Sequence, residues 1–186
     1  MQNKEKKLTF KRMSDDEVRS LLLVMTKLFE ECVDKCFNHS FYIAYNEYCE
    51  IHYAINQDME MLIKRITTRY KHPYSLGLFI GWKRNEKFIP TPWLFSYVYG
   101  CLGKIKAAIQ INEKASYLYL YGRDIFASSI MKIYEPIKEG NYVAVLDYEG
   151  EIIGVGLLLK SPLKAEGNEV VVKNVFDMGW FLRRGG

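Results

Sequence analysis

The pattern of hydrophobic positions is clearest between residues 141 and 160, where two strands and a connecting turn are predicted. β-Branched and bulky residues recur at alternate positions in Tyr142–Leu146 and again in residues 152–159. Gly150 gives the turn the backbone freedom that a short hairpin loop needs. Gly154 and Gly156 interrupt the second strand two residues apart, which indicates a bend or a close backbone approach of the kind that closes a barrel. We therefore expect the chain after about residue 105 to form a small β-barrel around this hairpin.

Helical spacing and capping residues predict two helices in the first half of the chain. Ser14 and Glu17 fit a capping box, and the apolar residues behind it recur at helical spacing, so a helix of about five turns is expected to run to Cys36. Asn56 is expected to cap a second helix that ends near Thr68. The inward face of that helix is predicted to consist of Met59, Leu62, Ile63 and Ile66.

Strands are predicted between and after these helices. Residues 41–45 and 50–55 are strand-like, and residues 74–82 are apolar on both faces, which favours a strand inside a sheet. Residues 100–103 show no periodicity and are the expected domain boundary. The predicted organisation is a flexible basic tail, an N-terminal domain and a second domain, at residues 1–12, 13–103 and 104–186.

The second half contains a row of tyrosines that is open to two interpretations. Residues 104–111 and 115–121 are expected to be strands, and in the latter Tyr117, Tyr119 and Tyr121 would share one face. Such a row either stacks on RNA bases or packs inside the protein with its hydroxyls at an edge. A short helix is predicted at residues 125–131 and a strand at residues 170–173. A second short helix is predicted at residues 177–184, capped by Asn174 or Asp177.

Composition is that of an ordinary globular protein. Of the 186 residues, 49% are hydrophobic and 26% are charged, and no apolar run approaches the roughly 18 to 20 residues of a spanning helix. We therefore expect a cytoplasmic, monomeric protein that does not bind membranes. Four residues could be written as a zinc set, but the first pair has the wrong spacing for a knuckle turn, so packed thiols are favoured and no metal is expected. These residues are Cys32, Cys36, Cys49 and His52.

The net charge of +4 is unevenly distributed along the chain. Residues 1–106 hold 17 Lys and Arg against 12 Asp and Glu, a net charge of +5, whereas residues 107–186 hold 9 against 10, a net charge of −1. The basic cluster between Lys64 and Lys87 is offset only by Glu86, and it either suits an anionic partner such as RNA or is a solvated face. The second half would need a local basic patch to bind a polyanion.

Motifs of familiar catalytic and cofactor sites do not occur in the sequence. It has no GxGxxG, no Walker loop, no HExxH and no GxSxG, and none of its three histidines has an acid or nucleophile at a suggestive spacing. We therefore expect neither an enzyme nor a cofactor.

Several stretches resemble known families. The sequence from Tyr121 to Asp124, the hairpin at residues 143–156 and the ending at residues 172–184 resemble a PUA domain, a compact pseudo-barrel that binds RNA. Further motifs resemble, in order, the Nip seven family of ribosome-biogenesis factors, most closely its archaeal form. These motifs are Tyr-Ala-Ile-Asn at residues 53–56, Pro-Tyr-Ser-Leu-Gly at 73–77, Phe-Ile-Gly at 79–81 and Lys-Ala-Ser-Tyr-Leu at 114–118.

The resemblance implies a fold, a function and a set of partners. The fold would be an α+β N-terminal domain, mainly antiparallel sheet with flanking helices, followed by a PUA-type β pseudo-barrel. The function would be non-catalytic, in ribosome biogenesis and processing of the precursor of large-subunit ribosomal RNA. The partners would be RNA, with a preference for uridine-rich single strands, other assembly factors and the exosome.

The resemblance also suggests which residues contact RNA. Lys173 matches a basic position on the last strand of archaeal relatives, but Phe176 occupies another such position, and Glu169 stands where a basic residue is expected. Nearby basic residues are candidates to replace the missing charges. The expected RNA-binding residues are Lys173, Arg183, Arg184, Lys160, Lys164 and Arg123.

Two other hypotheses remain open at this point. A protein-interaction scaffold in ribosome assembly, with weak or lost RNA binding, would explain the charge of −1 in the second half and the presence of Phe176. An RNA-modifying enzyme rests only on what PUA domains are often attached to.

Overall fold

The computed structural model describes residues 9–45, 50–67 and 75–184, and the chain divides into two units. The first unit contains residues 1–26 and 31–94, and the second contains residues 27–30 and 95–186. The division therefore falls before the expected boundary at residues 100–103, because a helix of residues Pro92–Leu102 runs through that stretch.

An antiparallel sheet forms the centre of the first unit. Its strands, in spatial order, are β1 (Thr9–Arg12), β2 (Ser40–Tyr45), β3 (Glu50–Ile55), β4 (Leu78–Arg84) and β5 (Lys87–Pro90). The predicted strands at residues 41–45 and 50–55 are confirmed, and the third predicted strand begins later than expected, at Leu78. The buried residues of this sheet include Ala44, Tyr53 and Ile55, which pack with Leu76.

Strand β1 corrects one prediction about the basic tail. Residues 9–12, which fall within the predicted tail, pair with β2 over four residues. Phe10 lies against Tyr53, with ring centroids 5.7 Å apart, so apolar packing holds this strand on the sheet. Residues 1–8 lie outside the described part of the chain.

The described residues up to 102 form three α-helices: α1 (Asp15–Phe29), α2 (Gln57–Thr67) and α3 (Pro92–Leu102). The capping box of α1 is confirmed, because the Ser14 backbone N–H donates to the Glu17 carboxylate at 2.7 Å. Helix α1 is shorter than predicted, since Glu30 adopts a left-handed backbone with φ of 47° and ends it before Cys36.

Helix α2 is capped as predicted but does not bury the predicted face. The Asn56 side chain accepts a hydrogen bond from the Met59 backbone N–H at 2.9 Å. Met59 and Leu62 are exposed, however, and only Ile63 of the described inward set packs against the core. The side chain of Ile66 lies outside the described residues, as do residues 68–74.

The second unit is built on a six-stranded sheet. Its strands are β6 (Ala108–Ile111), β7 (Ile125–Phe126), β8 (Ile130–Tyr134), β9 (Tyr142–Leu146), β10 (Ile152–Leu158) and β11 (Val170–Asp177). Their spatial order is β7-β11-β10-β9-β6-β8, and every pair is antiparallel except β6 with β9. The predicted central hairpin, β9 with β10, is confirmed.

The glycines of β10 allow the close approach that the sequence indicated. A Cβ at Gly154 would collide with the Phe176 carbonyl and would lie 2.6 Å from the ring of Tyr119. A Cβ at Gly156 would collide with the Val172 side chain, and the register with β11 shifts between Val155 and Gly156. The bulges bend β10, and this bend lets the sheet curl around a buried cluster.

Two predictions for the second unit are wrong. Residues 115–120 belong to a helix, α4 (Glu113–Leu120), and not to a strand, and Tyr121 follows the helix. Residues 125–131 are not a helix but contain β7, a 3-10 turn and the start of β8. The predicted strand at residues 170–173 is confirmed and continues to Asp177, so the last helix, α5 (Gly179–Arg184), starts later than expected.

The cysteines also depart from the expectation of packed reduced thiols. Cys36 and Cys101 are each in a disulfide bond, and Cys32 is an exposed free thiol. A sulfur in a disulfide cannot also act as a zinc thiolate, so Cys36 drops out of the zinc alternative. Cys49 lies outside the described residues.

None of the helices in the described ranges is both long and apolar enough to cross a bilayer.

Candidate nucleic-acid interface

Helix α4 carries two exposed apolar side chains of the second unit, Tyr117 and Leu118. The Asn112 side chain caps it by accepting a hydrogen bond from the Ala115 backbone N–H at 3.0 Å. Ala115 and Tyr119 are buried one helical turn apart, which fixes the inward face of the helix. Tyr117 and Leu118 consequently point outward and are 55% and 46% exposed.

The tyrosine row is therefore divided between core and surface. Tyr119 is buried beneath β10 and β11, its hydroxyl donates to the Phe176 carbonyl at 3.3 Å, and burial raises the pKa of this phenol well above its usual value. Tyr121, at 73% exposed, follows the end of the helix. The packing interpretation holds for Tyr119, and only Tyr117 and Tyr121 remain available to a base.

Hydrogen bonds connect the end of α4 to β11. The Asn174 backbone N–H donates to the Asp124 carboxylate at 2.8 Å, and the Asn174 side chain donates to the Tyr119 carbonyl at 2.9 Å. Asn174 therefore joins β11 to the segment that follows α4. Each carries a basic residue next in sequence to this connection, Lys173 before Asn174 and Arg123 before Asp124. This connection fixes the backbone from which both cations project.

A pocket of about 360 Å³ opens among α4, β7 and the start of β11. Val170 pairs with Phe126 across the two strands, and these side chains form apolar walls together with Leu118. The full lining is Ala115, Leu118, Arg123, Asp124, Phe126, Ser129 and Val170. Arg123 is exposed and makes no ion pair with any described residue, so its guanidinium is free to meet an anion at this pocket.

The predicted lysines differ in whether their charge is already used. Lys173 on β11 and Lys164 in a 3-10 turn are exposed, and neither has an ion-pair partner in the described ranges. Lys160 donates to Glu169 at 2.7 Å, and this hydrogen bond lowers the pKa of the Glu169 carboxyl. A phosphate would have to compete with that carboxylate for Lys160.

Arg183 is engaged within the protein. Its guanidinium forms two hydrogen bonds of 2.9 Å with the buried carboxylate of Asp177 and a third with the Leu120 carbonyl at the end of α4. The hydrogen bonding of the Arg183 guanidinium to the Asp177 carboxylate raises the pKa of Arg183 above its usual value. This geometry assigns Arg183 a positioning role, and the side chain of Arg184 lies outside the described residues.

The structure connects the two segments that carry Arg123 and Lys173, and it adds residues that the sequence did not indicate. Arg123 and Lys173 flank the connection made by Asn174, and Leu118 and Phe126 add apolar surface beside Arg123. One sequence signal could have revealed this surface: Asn112 is a helix-capping residue, and the apolar Ala115 and Tyr119 follow it by three and seven residues, as on the inward face of a helix. Cations that neutralise phosphates beside an apolar pocket and exposed aromatic rings are the chemistry of a single-strand nucleic-acid site.

The curled six-stranded sheet with α4 packed on it is a PUA-type pseudo-barrel, preceded by an α+β unit. Solved structures with this fold include a hypothetical protein of Pyrococcus horikoshii, which superposes with a TM-score of 0.67 at 21% identity and covers 91% of this chain and 94% of its own. They also include a conserved PUA domain protein of Thermoplasma acidophilum, which superposes with a TM-score of 0.64 at 16% identity and covers 95% of this chain and 99% of its own.

Sequence comparison relates the second unit to a family of PUA domains. Residues 107–186 match the family model described as the UPF0113 PUA domain, which supports that family for the second unit. A UPF0113 protein of Aeropyrum pernix is 27% identical over 124 residues, which cover 67% of this chain and 66% of that protein. The chain thus spans just under two thirds of the length of this relative.

Proposed function

We propose that this protein is a non-catalytic RNA-binding factor that holds single-stranded RNA on the α4–β7–β11 face of its PUA domain. The observation that carries the proposal is the cation of Arg123, unpaired among the described residues, in a pocket with apolar walls. The exposed Lys173 is the chain neighbour of Asn174, which is hydrogen-bonded to Asp124 of the same pocket. The cations would neutralise phosphates and release counterions, and the apolar walls would accept a base or a ribose.

The biological setting follows from the resemblance given above. We propose that the RNA is a precursor of large-subunit ribosomal RNA, that uridine-rich segments are preferred, and that the protein works in the cytoplasm alongside other assembly factors and the exosome. The support is the order of the motifs in both halves of the chain, together with an α+β unit in front of the PUA fold.

A double substitution tests the proposed face. Arg123→Ala with Lys173→Ala removes the two free cations, so binding of a fluorescent uridine-rich single strand should weaken about tenfold or more at moderate salt, whereas the melting temperature should stay within a degree or two. Fluorescence anisotropy on the full chain measures the affinity.

The matched control removes the same charge elsewhere in the second unit. Lys132→Ala with Lys138→Ala changes β8 and the segment after it, and β8 is the edge of the sheet opposite β7. This variant should bind RNA within about twofold of the unmodified chain, as expected for surface charges that do not line the pocket. Equal weakening by both variants would show that only bulk charge matters and would remove the proposed face.

A protein-interaction scaffold is the second candidate function. It is favoured by the two cations whose charge is already neutralised, Lys160 by Glu169 and Arg183 by Asp177. It is also favoured by the exposed Trp180, whose ring lies 6.5 Å from that of Phe176 between centroids. If the unmodified chain fails to bind RNA at low salt, this second function takes precedence.

A further inference from the structure

A second pocket lies wholly within the first unit, on the side of the sheet that α1 covers. Its volume is about 480 Å³, and side chains from α1, from β2 to β5 and from the turn before β5 form its walls. The apolar part of the lining includes Leu21, Val24, Ile43 and Phe88. The proposed RNA face belongs to the other unit, so a separate role has to be found for this pocket.

His52 is the buried polar group of this pocket. Only 5% of the residue is exposed, and neither ring nitrogen has a hydrogen-bond partner among the described residues. Its ring packs edge-on to Phe88 at a centroid distance of 5.6 Å, and the absence of a Cβ at Gly81 makes room for the Phe88 ring. A buried imidazole with both nitrogens unsatisfied loses free energy, which a ligand in the pocket would restore.

The imidazole is neutral, so it does not repel a cation. Burial, followed by the charge of Lys83, lowers the pKa of His52 to about 4. One ring nitrogen of a neutral imidazole accepts a hydrogen bond and the other donates one. The Glu50 carboxylate lies 3.7 Å from Nε2, which is too far for a hydrogen bond.

The pocket carries a negative charge in a chain whose net charge is positive. Four carboxylates and one lysine line it, which gives a net charge of −3. Three of the carboxylates have partners: Asp16 contacts Arg19, Glu17 accepts from Ser14, and Glu86 pairs with Lys83 at 2.8 Å. The Glu50 side chain makes no hydrogen bond with the described residues, so its carboxylate is the one that remains available beside His52.

We propose that this pocket binds an aliphatic ammonium or guanidinium group, with Glu50 and the neutral His52 accepting its N–H groups and the apolar walls enclosing its stem. Two acceptors 3.7 Å apart both lie within reach of one nitrogen placed about 2.9 Å from each. The shared chemistry is found in a Lys or Arg side chain of a partner polypeptide and in a free polyamine. RNA does not fit, because its phosphates would meet a net negative charge.

The first experiment compares these two sources on the full chain. Spermidine and two blocked tripeptides, N-acetyl-Gly-Lys-Gly-amide and N-acetyl-Gly-Arg-Gly-amide, are titrated by calorimetry, and the imidazole 15N resonances of His52 are followed by NMR. We expect saturable binding and a displacement of the His52 resonances, with His39 unaffected. A response to the tripeptides alone identifies a basic side chain as the occupant, and a response to spermidine alone identifies a polyamine; either outcome supports the proposal.

A matched pair of variants isolates the contact with Glu50. Glu50→Gln removes the available carboxylate while keeping its shape, and Glu151→Gln removes the same charge from an exposed position in the second unit. Since a charge-assisted hydrogen bond is lost, Glu50→Gln should weaken amine binding about tenfold or more, whereas Glu151→Gln should leave it within about twofold. RNA binding should be the same in both variants.

Two results would overturn the proposal. One is the absence of any response of His52 to all three probes. The other is equal affinity of the Glu50→Gln and Glu151→Gln variants, which would show that the amines bind by diffuse attraction to the surface.

Discussion

At the scale of single residues, the second unit separates basic side chains that stabilise the fold from those left free for a ligand. Asp177 is only 3% exposed, and a buried carboxylate without a cation would be strongly destabilising, so the guanidinium of Arg183 is needed to neutralise it. Arg123 and Lys173 have no such duty among the described residues. The distinction matters because the sequence presents all three as equivalent positive charges.

His52 supports a prediction about stability and pH. Its pKa is about 4 in the folded protein and about 6.5 in the unfolded chain, so between these values the unfolded chain binds a proton that the native protein does not. Stability is therefore lost as the pH falls from about 6.5 to 4. We expect the free energy of unfolding to fall by about 2 to 3 kcal/mol more in the unmodified protein than in His52→Gln over this interval.

Urea denaturation at pH 7 and at pH 4 measures this difference. The depressed pKa values of Glu17 and Glu169 also reduce stability in acid, but both carboxylates are present in both proteins, so their effect cancels. The same fall in the two proteins would contradict a buried neutral imidazole.

At the scale of elements, the β9–β10 hairpin could be predicted and α4 could not. The hairpin has alternation, a turn glycine and two glycines at the bend, and all of these indicate the same structure. In α4, Tyr117, Tyr119 and Tyr121 alternate with smaller residues as a strand would. The tertiary contacts of Tyr119 with β10 and β11 decide in favour of the helix, and a local pattern does not contain them.

The cap of α4 provides a test at this scale. Asn112→Ala removes the acceptor for the Ala115 backbone N–H and should lower the free energy of unfolding by about 1 kcal/mol, as is usual for the loss of an N-cap. Asn112→Asp keeps an acceptor and should stay within about 0.5 kcal/mol of the unmodified protein. Urea denaturation followed by circular dichroism checks both values, and equal stability of the Ala and Asp variants would argue against the cap.

The candidate site was predictable only in part, because a sequence pattern does not contain the tertiary contacts of its residues. Lys173 and Arg123 are predicted from the sequence because the resemblance covers the last strand and the turn at residues 122–124, and their contact with RNA stays a prediction. The sequence alone leaves Arg183 as a candidate RNA contact. Its partners, Asp177 and the Leu120 carbonyl, reach it only when α5 meets α4, and the sequence pattern does not show this contact. Leu118 and Phe126 were missed because their exposure depends on the helix and the short strand that the sequence pattern concealed.

At the scale of the whole molecule, the distribution of charge sets the expected salt dependence of RNA binding. The chain has a net charge of +4, but residues 107–186 have a net charge of −1, so the proposed face acts through a few local cations. Arg123, Lys173 and the nearby exposed Lys164 would contact about two to three phosphates, which corresponds to a log-log slope against salt of about −1.4 to −2 at ~0.7 per contact.

Anisotropy titrations of the full chain between low and moderate salt measure the slope. Lys173→Ala should make it shallower by about 0.7, because one phosphate contact is lost. A slope steeper than about −4 would indicate that the basic residues of the first unit also contact the RNA.

The position of β7 in the sheet has a consequence for synthesis of the protein on the ribosome. Its hydrogen-bonding partner is β11, which follows it by more than forty residues, and β6 likewise pairs in parallel with the distant β9. A nascent chain that has emerged only as far as the central hairpin has no neighbour for β7 and no Val170 to complete the wall beside Phe126. Closure of the barrel is thus a late, non-local event, and the pocket exists only after translation has passed β11.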